Sequence, residues 1–378
     1  MDYFLSEKQK IICDLAERIA KERIEPVAAE YDESGEFPWD IMEVLAQSDM
    51  FRVFIPEEYD GLGGGVFEMS LVTEELSKAC GGIALGFAGT GLGTMPIILF
   101  GNKEQKKEYL PQVADGTIAA FALTESEAGS DASNMKTTAD KDGDYYILNG
   151  TKQWITNGGE ADIYTIIAMT NKSKGSRGAT AFIVEKGQDG FSFGVKEDKM
   201  GIRGSTTREL IFDNCRVHKD KVLGRPGMGY IVALKTLDRT RPGVAAQAVG
   251  IAQGAIDECL KYTKQREQFN KKLSSFQAIR HKLADMATKT EAARSLVYSA
   301  AKMIDKGVKD ISRESAMSKC FASDVAMEVT TEAVQIFGGY GYMKDYPVEK
   351  KMRDAKITQI YEGTNEIQRN VIASKLWS

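Results

Sequence analysis

The sequence predicts an α+β chain in three parts: an all-helical N-terminal domain, a middle β-barrel or sandwich domain, and a C-terminal four-helix-bundle domain. Three observations carry that prediction. Apolar residues recur at helical spacing over roughly the first 120 residues, give way to short β-rich runs between turn signals, and return to helical spacing after Gly229. The boundaries fall at 1–120, 121–228 and 229–378, in a chain of 378 residues that has room for two or three cores.

The first helix is signalled by Ser6 and Gln9, spaced as a capping box, ahead of Ile11, Ile12, Leu15, Ile19 and Ile24. Gly35 and Pro38 end it, Ile41 to Ala46 starts another, and the run from Pro56 to Gly65 is loop. Met69 to Lys78 is amphipathic, Leu85 to Gly101 is apolar and interrupted by glycines, and Lys103 to Leu110 is a helix with a solvent face. In the middle part, Tyr145 to Leu148 is a strand between the turns Asp142-Gly143 and Asn149-Gly150, and strands at Tyr164 to Met169 and Ala181 to Val184 flank a Lys/Ser/Gly loop. The last part reads as helices over Tyr230 to Leu237, Gln247 to Gln265, Phe276 to about Ile304, Ile311 to Phe337 and Asn365 to Leu376. Gly243, Gly250 and Gly254 would permit close helix approach there.

The balance of 49 basic and 54 acidic residues gives a net charge of −5 and no general pull toward nucleic acid or an anionic membrane. Five widely separated cysteines form no CxxC pair, so neither a zinc site nor a disulfide framework is expected, and no metal is. Only His218 and His281 are available as histidine bases. The N-terminus lacks a basic region followed by an apolar stretch, and no run approaches the roughly 18 apolar residues of a membrane span. A cytoplasmic location is therefore expected.

Several segments bear chemistry. Phe121-Ala-Leu-Thr-Glu-Ser-Glu-Ala-Gly-Ser-Asp131 is a strand entering a Gly/Ser turn, whose N–H groups and hydroxyl suit a phosphate; it also reads as an ordinary surface loop. Lys152-Gln-Trp-Ile-Thr-Asn-Gly158 places a tryptophan just after a strand, where a core role is common. Leu237-Asp-Arg-Thr-Arg-Pro242 alternates charges after an apolar helix and is equally readable as a solvated turn. Arg266-Glu-Gln-Phe-Asn270 and Gln335-Ile-Phe-Gly-Gly-Tyr-Gly341 pair an arginine with a glycine-rich turn. Glu362, in Gln359-Ile-Tyr-Glu-Gly-Thr-Asn-Glu-Ile-Gln-Arg369, is a carboxylate at a helix start, with Gly363 to free its backbone and Thr364 to cap the helix.

With these segments in this order, the chain resembles the acyl-CoA dehydrogenase family over essentially its whole length. The resemblance implies an FAD-dependent enzyme that oxidises an acyl-CoA thioester to a trans-2-enoyl-CoA, with Glu362 as the base. It implies FAD contacts from Phe121, Leu123, Thr124, Gly129 and Ser130, from Trp154, Ile155 and Thr156, and from Thr364 and Glu366. Arg266, Phe269, Phe276, Gln277, Gln335, Gly338 and Gly339 would reach the FAD of a neighbouring subunit, in a homotetramer built as a dimer of dimers. The family has glycine where this chain has Asn270, a residue that tolerates left-handed backbone. Substrate contacts would come from Ser130, Asp238, Arg241, Tyr361 and Gly363, and electrons would pass to an electron-transfer flavoprotein.

The acyl chain would point toward Leu85 to Gly93, with Phe87 and Leu92 its larger side chains. That stretch has no arginine for a dicarboxylic substrate and no acid at Gly91, and Met95 to Ile98 looks like the short- and medium-chain branches, so a straight chain between butyryl and octanoyl is expected. Relatives of the isovaleryl type carry a glutamate at the position of Thr240, which leaves Glu362 as the base here. Two alternatives share the scaffold: an enoyl-CoA reductase running the reverse reaction, and an acyl-CoA oxidase. A non-catalytic flavoprotein assembly factor is a third.

Overall fold

The computed structural model describes residues 3–377. Helices α1 (Glu7–Ile19), α2 (Ala28–Ser34), α3 (Trp39–Gln47), α4 (Val66–Ala79), α5 (Gly81–Phe100) and α6 (Lys103–Ala114) precede the first strand. The Ser6 capping box forms: its hydroxyl accepts the Gln9 N–H at 3.2 Å and the Gln9 carboxamide takes the Ser6 N–H at 2.9 Å.

The glycine-interrupted stretch is one continuous helix, α5. Glycine weakens a helix on its own, and close packing holds this one: a Cβ at Gly93 would lie 2.4 Å from the Ala120 nitrogen. Contrary to the sequence expectation, α5 is long and apolar enough to cross a membrane, but 72% of that apolar window is buried inside the protein, where it serves as a core helix.

The middle region is one mixed eight-stranded sheet. Its strands are β1 (Ala119–Ala122), β2 (Thr138–Asp142), β3 (Tyr145–Thr156), β4 (Ile163–Met169), β5 (Ala179–Glu185), β6 (Phe191–Lys196), β7 (Thr207–His218) and β8 (Val222–Leu223). They run in the order β6-β7-β3-β2-β4-β5-β8, with β1 beside β4. β1 and β2 pair with β4 in parallel and the remaining pairs are antiparallel. The expected turn at Asn149-Gly150 is not a turn. Both residues lie within β3 at a register shift against β7, where Gly150 has φ 138° and the Asn149 side chain accepts the Asn214 N–H at 2.7 Å.

Helices α7 (Gly229–Gln265), α8 (Gln277–Asp305), α9 (Ser312–Phe337), α10 (Pro347–Ile357) and α11 (Asn365–Ser374) form the last part. The two helices expected on either side of Asp238–Pro242 are the single helix α7. Pro242 removes one helical hydrogen bond, and burial of the surrounding turns outweighs that loss. Gly250 and Gly254 do allow close approach: a Cβ would meet the Glu74 carbonyl oxygen at 2.3 Å and that of Lys78 at 2.1 Å, both on α4. Gly243 has ordinary room and is not needed for packing. Asp305, ending α8, accepts the Val66 and Phe67 N–H groups at 2.8 Å each and so caps α4. One continuous apolar core joins the two helical parts and the sheet.

Candidate active site

The loop between α10 and α11 carries Glu362. It has φ 52°, a left-handed conformation that is uncommon for a residue with a side chain, and Gly363 follows at φ 92°. The positive φ favours glycine there, and a Cβ on Gly363 would also lie 2.6 Å from Gln368 Nε2 and displace that side chain. The loop is pinned from several directions. The Glu362 carbonyl accepts Arg241 Nε at 3.2 Å and Gln368 Nε2 at 3.1 Å. The Gly363 carbonyl accepts Gln368 Nε2 at 2.8 Å and Lys319 Nζ at 2.9 Å. Thr364 caps α11 by accepting the Ile367 N–H at 3.3 Å.

The Glu362 carboxylate accepts a hydrogen bond from the Thr240 hydroxyl at 2.7 Å. Removal from bulk water pushes its pKa up to about 7, against the Thr240 hydroxyl, Arg241 and Lys319, which pull it down. A carboxylate poised near neutrality is suited to general-base work at ordinary pH.

Glu362 stands where two cavities meet. The inner one, about 350 Å³, is walled by apolar side chains of α4, α5 and α7, among them Met69, Leu85, Leu92 and Val244, and by Ser130 and Arg241. The outer one, about 600 Å³, is lined by Lys199, Arg353, Lys356 and Thr364 with the 197–202 segment. Thr124, Gly129, Ser130, Trp154, Thr156, Tyr361, Glu362 and Gly363 line both. Phe121, Leu123, Ile155 and Arg241 line the inner one alone.

Two local structures aim these residues. The 121–131 segment is held from below by a buried ion pair, Lys152 Nζ to Glu125 Oε1 at 2.7 Å, and Glu125 also accepts the Lys136 and Thr137 N–H groups. Burial pushes Lys152 down to about 8, with Glu125 opposing. Trp154 is not a core residue: it sits inside β3 at a bulge, with φ 57° and 55% of its surface exposed, and faces both cavities.

Other expected site residues lie elsewhere. Asp238 lines neither cavity; it accepts Arg241 Nη1 at 3.1 Å and the Ser312 hydroxyl at 2.7 Å, and so orients Arg241. Phe87 is fully buried away from the cavity, against Phe51 and Phe54, and none of Met95 to Ile98 lines it. Glu366 is exposed on the first turn of α11. Arg266, Phe269, Phe276, Gln277, Gln335, Gly338 and Gly339 line neither cavity of their own chain. They gather at one corner of the bundle, where Arg266 lies 5.2 Å over the Tyr340 ring and Phe269 is 88% exposed. His218 and His281 line neither cavity, and the described residues hold no cluster of ligands suited to a metal.

The sequence matches the acyl-CoA dehydrogenase N-terminal domain over residues 6–117, the middle domain over 120–215 and the C-terminal domain over 227–377. It is 48% identical to the 3-(aryl)acrylate reductase of Clostridium sporogenes, over 99% of both chains. A chain in a structure of the electron transferring flavoprotein of Acidaminococcus fermentans matches the fold with a TM-score of 0.97 at 50% identity, covering 100% of this chain and 99% of that one. Butyryl-CoA dehydrogenase from Megasphaera elsdenii matches with a TM-score of 0.97 at 47% identity, covering 100% of both chains. The chain belongs to the acyl-CoA dehydrogenase family.

Proposed function

We propose that this protein converts a short- to medium-chain acyl-CoA to the trans-2-enoyl-CoA, with Glu362 removing the α-proton, and that its electrons go to an electron-transfer flavoprotein. The observation that carries the reading is a carboxylate with a pKa near 7 at the junction of an apolar cavity and a larger, partly charged one.

The residues present fit FAD. Trp154 turns a large apolar face into both cavities, and Thr156 offers a hydroxyl beside it. Gly129 leaves open space, because a Cβ there would meet no atom within 4 Å. Thr124, Ser130 and Thr364 would hold the cofactor from this chain. Gly338 and Gly339 also leave open space, and Arg266 pairs with no carboxylate among the described residues, which suits a pyrophosphate reached from a second copy. Bound there, FAD supplies a two-electron acceptor for the hydride that leaves the β-carbon.

The chain's own part is proton transfer and alignment. Thr240 orients the Glu362 carboxylate, while Arg241 and Gln368 fix the backbone carbonyl of the same residue. The apolar walls exclude water from the reacting carbons. Binding of coenzyme A, far from those carbons, provides alignment energy. The assembly is a homotetramer, a dimer of dimers, and the location is the cytoplasm.

Similarity to a 3-(aryl)acrylate reductase supports a second reading, in which the same site runs in the enoyl-CoA-reducing direction. Anaerobic titration of the purified flavoprotein with acyl-CoAs tests the first: bleaching of the flavin by a saturated thioester is expected, and its absence across the panel would sink the reading. Reoxidation of the dithionite-reduced protein by enoyl-CoAs, including aryl ones, compares the two directions.

A further inference from the structure

Behind the Glu362 loop, α9 buries a lysine completely. Lys319 Nζ donates to the Gly363 carbonyl and to Asn365 Oδ1, each at 2.9 Å. Neither acceptor depends on it. The Gly363 carbonyl also accepts Gln368 Nε2 at 2.8 Å, and Asn365 Oδ1 also accepts the Ser323 hydroxyl at 3.2 Å. Burying an ammonium group is costly unless its charge is used, and here hydrogen-bond satisfaction does not account for it.

The surrounding charges indicate what uses it. Asp324, the other carboxylate that acts on Lys319, is taken up by Arg369 at 2.7 Å, Gln359 at 2.6 Å and Asn365 at 2.7 Å. Arg241, the other cation facing Glu362, is paired with Asp238 on α7. On α10, Asp354 pairs with Lys350, and Glu366 of α11 is exposed. Lys319 makes no ion pair among the described residues, and the first carboxylate that acts on it is Glu362.

We propose that Lys319 is a positioning residue for the catalytic base: its buried cation clamps the peptide that follows Glu362 and supplies the positive field in which that carboxylate works. The proposal rests on Glu362 being the base of the reaction proposed above. Burial pushes Lys319 itself down to about 8, opposed by Glu362, so the two groups sense each other.

The test compares Lys319→Met, which keeps length and packing, with Lys319→Arg, which keeps charge, both as FAD-loaded protein. The rate of anaerobic flavin bleaching by butyryl-CoA is followed with pH, alongside FAD content and KM. Lys319→Met should retain FAD and KM but bleach about tenfold more slowly, and its acid limb should move to higher pH, because the cation no longer favours ionised Glu362. Lys319→Arg should bring the limb back toward its wild-type position. A flavin-replete Met variant with a bleaching rate within about twofold and an unmoved limb would overturn this proposal alone. If the Met variant does not fold, Lys319→Gln decides: a shifted limb supports the proposal and a wild-type limb overturns it. A wild-type protein that no acyl-CoA bleaches would overturn both this and the dehydrogenase reading.

Discussion

Glu362 combines three costs at one residue: left-handed backbone, partial removal from water, and a carboxylate on the wall of an apolar cavity. Such strain persists where surrounding contacts over-determine it, and the pins from Arg241, Gln368, Lys319 and Thr364 do so here. Glu362→Gln keeps shape and loses the proton acceptor, so turnover should fall by about 10²–10⁴ with FAD content intact; near-normal flavin bleaching by this variant would refute the assignment. The same variant should be more stable than wild type above neutrality. Folding raises the Glu362 pKa from 4.5 to about 7, so the folded form holds the proton more tightly. Relative to the unfolded chain, that preference is fully present below 4.5 and is lost as pH rises through about 7. Above that, the ionised side chain costs about 3 kcal/mol. Melting curves at pH 4 and pH 8 should therefore coincide for the two proteins at the lower value and separate at the higher. In the free enzyme, kcat/KM should rise with pH through an apparent pKa near 7. Thr240→Val removes the donor at 2.7 Å and should move that limb upward. A limb that stays in place would mean the hydroxyl does not act on the ionised base.

Elements show which features of the sequence report on structure. The segments at 121–130, 154–156 and 361–364 are continuous along the chain, and their turn residues mark them, so the cavity walls were legible before the fold was. In the sequence, Thr240 reads as a residue unable to act as a base and as a mark of the short- and medium-chain branches; its bond to Glu362 depends on how α7 and the α10–α11 loop meet. Lys319 gave no signal, because a lysine in a helix reads as solvated until a neighbouring loop covers it. The two misread breaks have a common cause. Asn149-Gly150 and Asp238–Pro242 carry strong local turn signals, but tertiary pairing absorbs both, one as a bulge in β3 and the other inside the buried α7. Helix α10 has no apolar stripe to read, because its buried face carries Lys350, Lys351 and Asp354 beside Val348 and Ala355. Helix packing provides the clearest test at this scale. A Cβ at Gly250 would lie 2.3 Å from the Glu74 backbone oxygen, and backbone cannot rotate away as a side chain can. Gly250→Ala should cost about 1–3 kcal/mol despite its better helix propensity. Gly243→Ala, whose nearest contact would be 3.5 Å, should be neutral or slightly stabilising. Thermal unfolding of the two variants side by side checks the contrast.

At the scale of the whole molecule, the corner that carries Arg266, Gly338 and Gly339 lies off both cavities of its own chain and exposes Phe269 and Tyr342. Arg266→Ala should therefore weaken FAD retention and loosen the oligomer together, and a flavin-saturated wild-type monomer on sizing would contradict the shared site. On the proposed reading, the N-terminal helices set the substrate's length by closing the inner cavity against α7. Met69 of α4, Leu85 and Leu92 of α5, and Val244 of α7 wall it, and the Tyr361 hydroxyl bonds to Gln247, which in turn donates to the Gly81 carbonyl at 2.8 Å. That hydrogen-bonded pair ties α5, α7 and the base loop together on the cavity wall. With about 350 Å³ enclosed, a short or medium straight chain fits better than a long one. The charged residues lining the cavity are Arg241 and Glu362, and Arg241 is already committed to Asp238 and to the Glu362 carbonyl. A glutaryl carboxylate would thus be buried without a free cation, at a cost of several kcal/mol, on the order of a thousandfold in efficiency. Each methylene added within the cavity gains only about 0.8 kcal/mol, so preference should form a broad maximum from butyryl- to octanoyl-CoA. Isovaleryl-CoA should be used less well and glutaryl-CoA hardly at all. Leu85→Ala and Met69→Ala both enlarge the apolar wall and should shift the optimum toward longer chains without moving the pH limb of Glu362. A kinetic panel that includes palmitoyl-, glutaryl- and cyclohexanecarboxyl-CoA checks this. A clear preference for any of those three would overturn the account of the pocket and leave the base assignment standing.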